Sequence, residues 1–291
     1  MTLESPIIVL DSPRCELDAA LAGRELIEQD LNVAGQCLRV RLAVADVPLR
    51  LAQVVPLAQS LSDSLCQAAR HQARLQGQGV SCRKGCSSCC HYLVPVSVPE
   101  AFALWEDINA LDAGSRDRVV QSFVQAARRV LAAEPPRIPE LTDQPGGQTV
   151  SPAGAVGQWY ARLDLPCPLL QTGQEAGTGM CRVYARRPLA CREHMVNSPA
   201  DLCRGFQPGR GQIHRPGFSV LEALGQLAAE LEDTGVEAIV MTLAPAWALS
   251  NLDRAARTWR AAYVVRRLLA ICRELADRAS QSDEQPTRAA A

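Results

Sequence analysis

Lysine is almost missing from this chain: Lys84 is the single one among 30 Lys and Arg residues. Charge of either sign is not in excess, since the formal net charge at pH 7 is -1. No overall basic field therefore draws the protein to nucleic acid or to an anionic membrane surface. No apolar run reaches the roughly 18 residues of a membrane span. Met1 to Ser12 lacks a basic stretch and holds only the short apolar run Ile7-Ile8-Val9-Leu10, so it does not read as a signal peptide. These absences point to a cytoplasmic protein with no membrane or nucleic-acid partner evident. Recognisable catalytic sets are also missing. No Ser/His/Asp group or carboxylate pair stands out. Gly173 to Gly179 lacks the preceding strand and following helix of a phosphate-cradling loop. Glu100 and Glu193 lie near cysteines but read as surface glutamates.

Cysteine is what the chain does have. Cys82, Cys86, Cys89 and Cys90 fall within nine residues, with His91 next; Cys167, Cys181, Cys191 and Cys203 follow later. In a cytoplasmic protein thiols stay reduced, so such clusters read as metal-binding or redox-active and not as a disulfide framework. Thiolates at these spacings suit zinc, iron or an iron–sulfur cluster. Cys86 and Cys89 form a C-x2-C knuckle. Adjacent Cys89 and Cys90 point to opposite sides in extended backbone, which suggests two metals, or one metal and a second role. Arg83, Lys84, Arg182, Arg186, Arg187, Arg192 and Arg204 crowd the clusters. They either offset thiolate charge or form a solvated face. His91 and His194 are close enough in sequence to replace a thiolate. Cys15, Cys37, Cys66 and Cys272 sit alone; Cys66 and Cys272 fall on apolar helix faces and read as core.

The periodicity predicts a mainly α protein: helical segments around a cysteine-rich, metal-stapled loop region, with a minor short strand. Residues 1–35 read as a helix-rich lead-in, with Leu17, Leu21 and Leu26 at loose helical spacing. Leu38 to Val44 alternates with period two and reads as the strand. Stripes beginning at Val54, Ala101, Val119, Val220 and Trp259 read as helices. Gly77 is a stop signal for the first, Pro99 opens the second, and Pro188 starts a short helix that presents Cys191. Pro135–Gly157 and Gly205–Gly217 read as loops. The expected division is 1–78 (N-terminal helical region with a short strand), 79–205 (cysteine-cluster domain), 206–279 (C-terminal helices) and 280–291 (disordered tail).

The order and context of both clusters resemble the YkgJ-type CxxCxxCC cysteine-cluster family. The resemblance rests on Cys82-x3-Cys86-x2-Cys89-Cys90, Cys167-Pro-Leu-Leu, Cys181-Arg-Val-Tyr-Ala-Arg-Arg-Pro, Cys191-Arg-Glu and Cys203, and covers about residues 80–205. It implies a zinc- or iron-chelating domain in which these eight cysteines are the ligands, with Tyr184 and Pro188 structural. It says little about a reaction. Some proteins with this cluster are flagellin lysine N-methylases, so an iron–sulfur-dependent, S-adenosylmethionine-using modifier is the alternative. Cys82-x3-Cys86-x2-Cys89 also has the spacing of radical S-adenosylmethionine enzymes. The succession of helices after Cys90 argues against their βα barrel.

Overall fold

The computed structural model describes residues 5–10, 22–33, 35–134, 152–173, 178–203 and 213–283. The N-terminal part corrects the helical expectation. Strand β1 (Ile7–Val9) pairs with β3 (Gln36–Ala45), and β3 pairs along its whole length with β2 (Arg24–Val33). Leu26 thus lies on a strand, while Leu17 and Leu21 lie outside the described residues. The reason is cross-strand. Ile27, Leu31 and Val33 are buried on one face of β2. On the other, Glu28 and Asp30 stand opposite Arg41 and Arg39 and pair with them at 2.6 and 2.8 Å.

Strand β4 (Pro48–Leu49) leads through a 3-10 turn into α1 (Val55–Leu75). Leu57, Leu61 and Leu65 make the buried face of α1, and Gly77 ends it with φ 72°, a left-handed conformation that favours glycine. Strand β5 (Pro95–Ser97) opens α2 (Val98–Asn109), where Ser97 and Glu100 form a capping box. Helix α3 (Ala113–Ala132) is capped by Asp112, whose carboxylate accepts from Ser115 N at 2.9 Å.

Helix α4 (Pro152–Arg162) occupies part of the stretch expected to be a loop; residues 135–151 lie outside the described ones. The hairpin of β6 (Leu170–Thr172) and β7 (Gly179–Cys181) follows, then α5 (Leu189–Glu193) and β8 (Met195–Val196), which pairs with β9 (Ile213–His214). The expected loop 205–217 thus includes a short strand; residues 204–212 are outside the described set.

Helix α6 (Val220–Glu232) ends at Asp233 in the left-handed region. Strand β10 (Ala238–Val240) pairs with β5. Two short helices, α7 (Ala244–Leu249) and α8 (Leu252–Ala255), precede β11 (Trp259–Arg260), which pairs with β4. The last helix, α9 (Ala261–Asp283), begins after Trp259 and carries Ser280 to Asp283 as helix, which the expected tail did not allow.

The architecture is mainly α, as expected, with the three-stranded sheet as its largest β element. One core joins the sheet to α1, α6 and α9 through Leu42, Leu65, Leu224 and Leu268. A second joins α2, α3 and α7 through Phe102, Ile108, Phe123 and Ala248. The hairpin β6–β7 packs on this second core: Leu169 is inside it, and Cys167 and Cys181 lie at its edge. Among the described residues no helix is long and apolar enough to cross a membrane.

Candidate metal centre

Backbone hydrogen bonds bring the two cysteine clusters into one region. The chain leaving α1 runs beside β8, with Ser81 N donating to Val196 O at 2.9 Å. Cys82 follows, its Sγ accepting from Val196 N at 3.4 Å and lying 3.8 Å from His194 O. Gly85 turns the chain with φ 91°, and its carbonyl accepts from Gly179 N at 3.2 Å. Cys86 bridges to Thr178, at the entry to β7. Cys89 and Cys90 lie in a 3-10 turn, Ser88–His91. Cys167 N donates to Cys90 O at 2.7 Å. Cys181 stands opposite Leu170 in the hairpin. Cys191 lies on α5, its N donating to Pro188 O at 2.9 Å. Cys203 ends a 3-10 turn, Ala200–Cys203, that packs on Ser88–His91. The Tyr92 hydroxyl donates to Cys203 O.

The thiols feel one another. Burial pushes the Cys167 thiol up to about 12, helped by Cys181 and Cys89. Cys191 is raised well above the ordinary thiol value, first by burial and then by Cys167, Cys89 and Cys181. Cys89 is raised by its hydrogen bond to Cys90 and then by burial. Cys82 and Cys181 are also raised, chiefly by burial; at Cys82 the neighbours Cys89 and Cys86 add to it. Arg187 works in the opposite sense at Cys89, Cys181 and Cys191, and Arg70 does so at Cys82. No disulfide is formed among these eight cysteines.

Among the described residues, no three Cys, His, Asp or Glu side chains converge into a ready coordination shell. The sulfurs are gathered into one region but not aimed at one point. Thiolate ligation of a cation requires their deprotonation. The donor set itself, soft, sulfur-rich and partly buried, fits zinc or iron. Two imidazole nitrogens nearby are buried without a hydrogen bond, His91 Nδ1 and His194 Nε2. His91 Nδ1 is 2.9 Å from Asp164 Oδ1, in an orientation that forms no hydrogen bond. Burial lowers the His194 pKa and so favours its neutral, ligand-competent form.

The cations divide. Arg192 is buried and holds both carboxylate oxygens of Asp63 at 2.5 Å, together with Arg187 O at 3.0 Å and Ala185 O. It ties the approach to α5 onto α1. Arg187 and Lys84, one from each cluster, lie 4.6 and 5.6 Å from the Tyr184 ring centroid. Tyr184 therefore links the clusters through cation–π contacts. Arg83, Arg182 and Arg186 are exposed, and Arg204 lies outside the described residues.

Glu100 and Glu193 are not surface glutamates. Glu100 is buried and accepts from Ser97 N, Ser97 Oγ and Leu189 N at 2.9, 2.9 and 2.7 Å. Glu193 accepts from Ser219 Oγ, Val220 N and Leu221 N at the start of α6. Both satisfy helix N-termini flanking the site. Outside the clusters, Cys66 Sγ donates to Arg192 O at 3.4 Å, one residue beyond Cys191. Cys66 and Cys272 are buried on α1 and α9, Cys37 is exposed on β3, and Cys15 lies outside the described residues. Asp63, the partner of Arg192, carried no sequence signal, because the pair is made between segments 129 positions apart.

Residues 81–204 match the model of the CxxCxxCC family, described as "Putative zinc- or iron-chelating domain". No curated protein and no solved structure matches the chain. The matched span opens just before Cys82 and closes just after Cys203. The segment that gathers the eight cysteines into one region is thus the segment that matches the CxxCxxCC family model.

Proposed function

We propose that Cys82, Cys86, Cys89, Cys90, Cys167, Cys181, Cys191 and Cys203 are the ligands of bound zinc or iron, and that chelation fastens the 79–205 segment onto the helical cores beside it. The carrying observation is the Cys167 N to Cys90 O hydrogen bond, which joins two cysteine segments far apart in sequence. Cys89 and Cys181 both raise the Cys167 and Cys191 thiols, which supports treating the four as one ligand group. Cys82 feels both Cys89 and Cys86. A reducing compartment such as the cytoplasm keeps these thiols available.

Zinc held by four cysteines has a closed shell and is structural, whereas an iron–sulfur cluster carries electrons. The polypeptide's part is the same in either case. It buries the sulfurs, spaces them on short turns and sets Arg187 against their negative charge. Elemental analysis with an absorption spectrum, on protein purified without oxygen, tests this. Zinc or iron bound in stoichiometric amount is expected. Zinc without a visible band identifies the sites as structural. Iron with sulfide and a broad band near roughly 400 nm makes the electron-carrying, enzymatic alternative the leading one. Metal-free protein with an unchanged melting temperature overturns the proposal.

A further inference from the structure

A hollow of about 460 Å³ lies between α2, α3 and the strand-and-turn segment that carries Cys181. That size falls within the range of small-molecule sites. Leu104, Ile108, Val119, Leu169 and Val183 give it an aliphatic floor. Its back wall is the cysteine hairpin itself, since Arg182 N donates to Leu169 O at 2.9 Å. The ionisable side chains lining it are Asp107, Arg182, Tyr184 and Arg186. Asp107 and Arg186 are paired. The Arg182 guanidinium makes no ion pair or hydrogen bond among the described residues. Among the described residues the lining therefore holds one carboxylate against two guanidiniums, a surplus of one positive charge at the rim of an apolar hollow.

A second hollow, of about 230 Å³, shares Leu104, Asp107, Val183 and Arg186 with the first. The Arg186–Asp107 pair therefore stands at the boundary between the two. Arg182 lines the first hollow and not the second, and Asp107 is the one carboxylate lining the first among the described residues.

We propose that this hollow is a binding site for a small carboxylate with an aliphatic body, its carboxylate on Arg182 and its chain over Leu104, Ile108 and Val119. Charge complementarity selects the occupant. A planar guanidinium with free donors matches a carboxylate in two-pronged geometry, and the aliphatic floor rewards an apolar tail. A cationic ligand would meet Arg182 and Arg186 and be repelled. The site is distinct from the sulfurs, although one hairpin serves both, and it does not depend on which metal they hold.

Octanoate is the probe, titrated into the full-length protein as purified and followed by calorimetry. Saturable binding at one site per chain is expected. Octylammonium and 1-octanol should bind at least tenfold more weakly. Arg182→Gln should weaken octanoate about tenfold, the scale of one charge-assisted hydrogen bond, while metal content and helical circular dichroism stay unchanged. Leu111→Trp, at the exposed rim, should narrow the hollow and weaken octanoate and octanol alike. Absence of saturable octanoate binding overturns the proposal. So does equal binding of octylammonium, or an octanoate affinity indifferent to Arg182→Gln.

Discussion

Cys167 N donates to Cys90 O at 2.7 Å. This bond fixes the start of the second cysteine cluster against the end of the first. It leaves both side chains free, so the backbone positions sulfurs without using them. A chelating centre should then depend on individual sulfurs far more than on cysteine content. Cys89→Ala is expected to lose roughly half or more of the bound metal and to lower the melting temperature, because site formation and folding share one free energy. Cys272→Ala, in the α9 core, should keep full metal content and lose on the order of 1 kcal/mol. Metal analysis of the two variants side by side decides. Full occupancy in Cys89→Ala would remove that residue from the ligand set.

Arg192 shows how the fold presents Cys191. Its side chain is 5% exposed and that of Asp63 is 58% exposed, so the two ends of the pair should respond differently to substitution. Arg192→Met leaves the carbonyls of Ala185 and Arg187 without their donor and frees α5 from α1. A loss of about 3 kcal/mol is expected, the scale of breaking a buried charged network. Asp63→Asn should cost less, about 1–2 kcal/mol, because the amide oxygen and both carbonyls still accept from the buried guanidinium. Urea midpoints read this directly if the slopes stay equal. Equal costs would mean that the ion pair, and not the carbonyl contacts, holds the turn.

Much of the helical frame was legible because burial imposes a short period. The stop at Gly77, the start at Pro99 and the α6 stripe each need only a few consecutive residues. The cysteine region was legible for a different reason, since soft-metal chemistry is written in residue type and close spacing. The β2–β3 hairpin was not fully read. Its evidence is split between strands: Glu28 and Asp30 gain their partners only when Arg41 and Arg39 are laid opposite. The same holds for Arg192 with Asp63, and for Glu100, whose bond to Leu189 N crosses between distant elements. An isolated glutamate near a cysteine gives no hint that it will be buried as a helix cap.

Glu100 makes that burial measurable. Desolvation raises its pKa above the ordinary 4.5, against the lowering effect of Ser97, Leu189 N and Arg192. Between 4.5 and the raised value the folded protein holds a proton that the unfolded chain has released. Stability from this group therefore falls as pH rises through that window and is recovered on acidification. Glu100→Gln removes the titration while keeping an acceptor oxygen. The stability difference, wild type minus Glu100→Gln, is expected to shrink as pH climbs from 4.5 toward neutrality. Urea titrations at several pH values check this; a difference that grows with pH would mean the folded carboxylate is favoured in its charged form.

Glu232 and Arg254 test the C-terminal helices apart from the metal region. The Glu232 side chain is 0% exposed, and Arg254 meets both its oxygens at 2.8 and 3.2 Å. Arg254 also pairs with Glu237 at 3.0 Å and lies 5.1 Å from the Trp247 ring centroid. Removing that guanidinium leaves the interior carboxylate, among the described residues, with only Arg257, 4.0 Å from its Oε1. Arg254→Met should therefore cost about 3–5 kcal/mol. Joining it to Glu232→Leu removes the buried charge, and the double variant should be more stable than Arg254→Met alone, a coupling the double-mutant cycle isolates. Both variants should keep the metal content of the wild type, because neither side chain is bonded to the cysteine segment. Additive losses in the cycle would mean that the two groups are satisfied independently and that the pair does not anchor α8 to the end of α6.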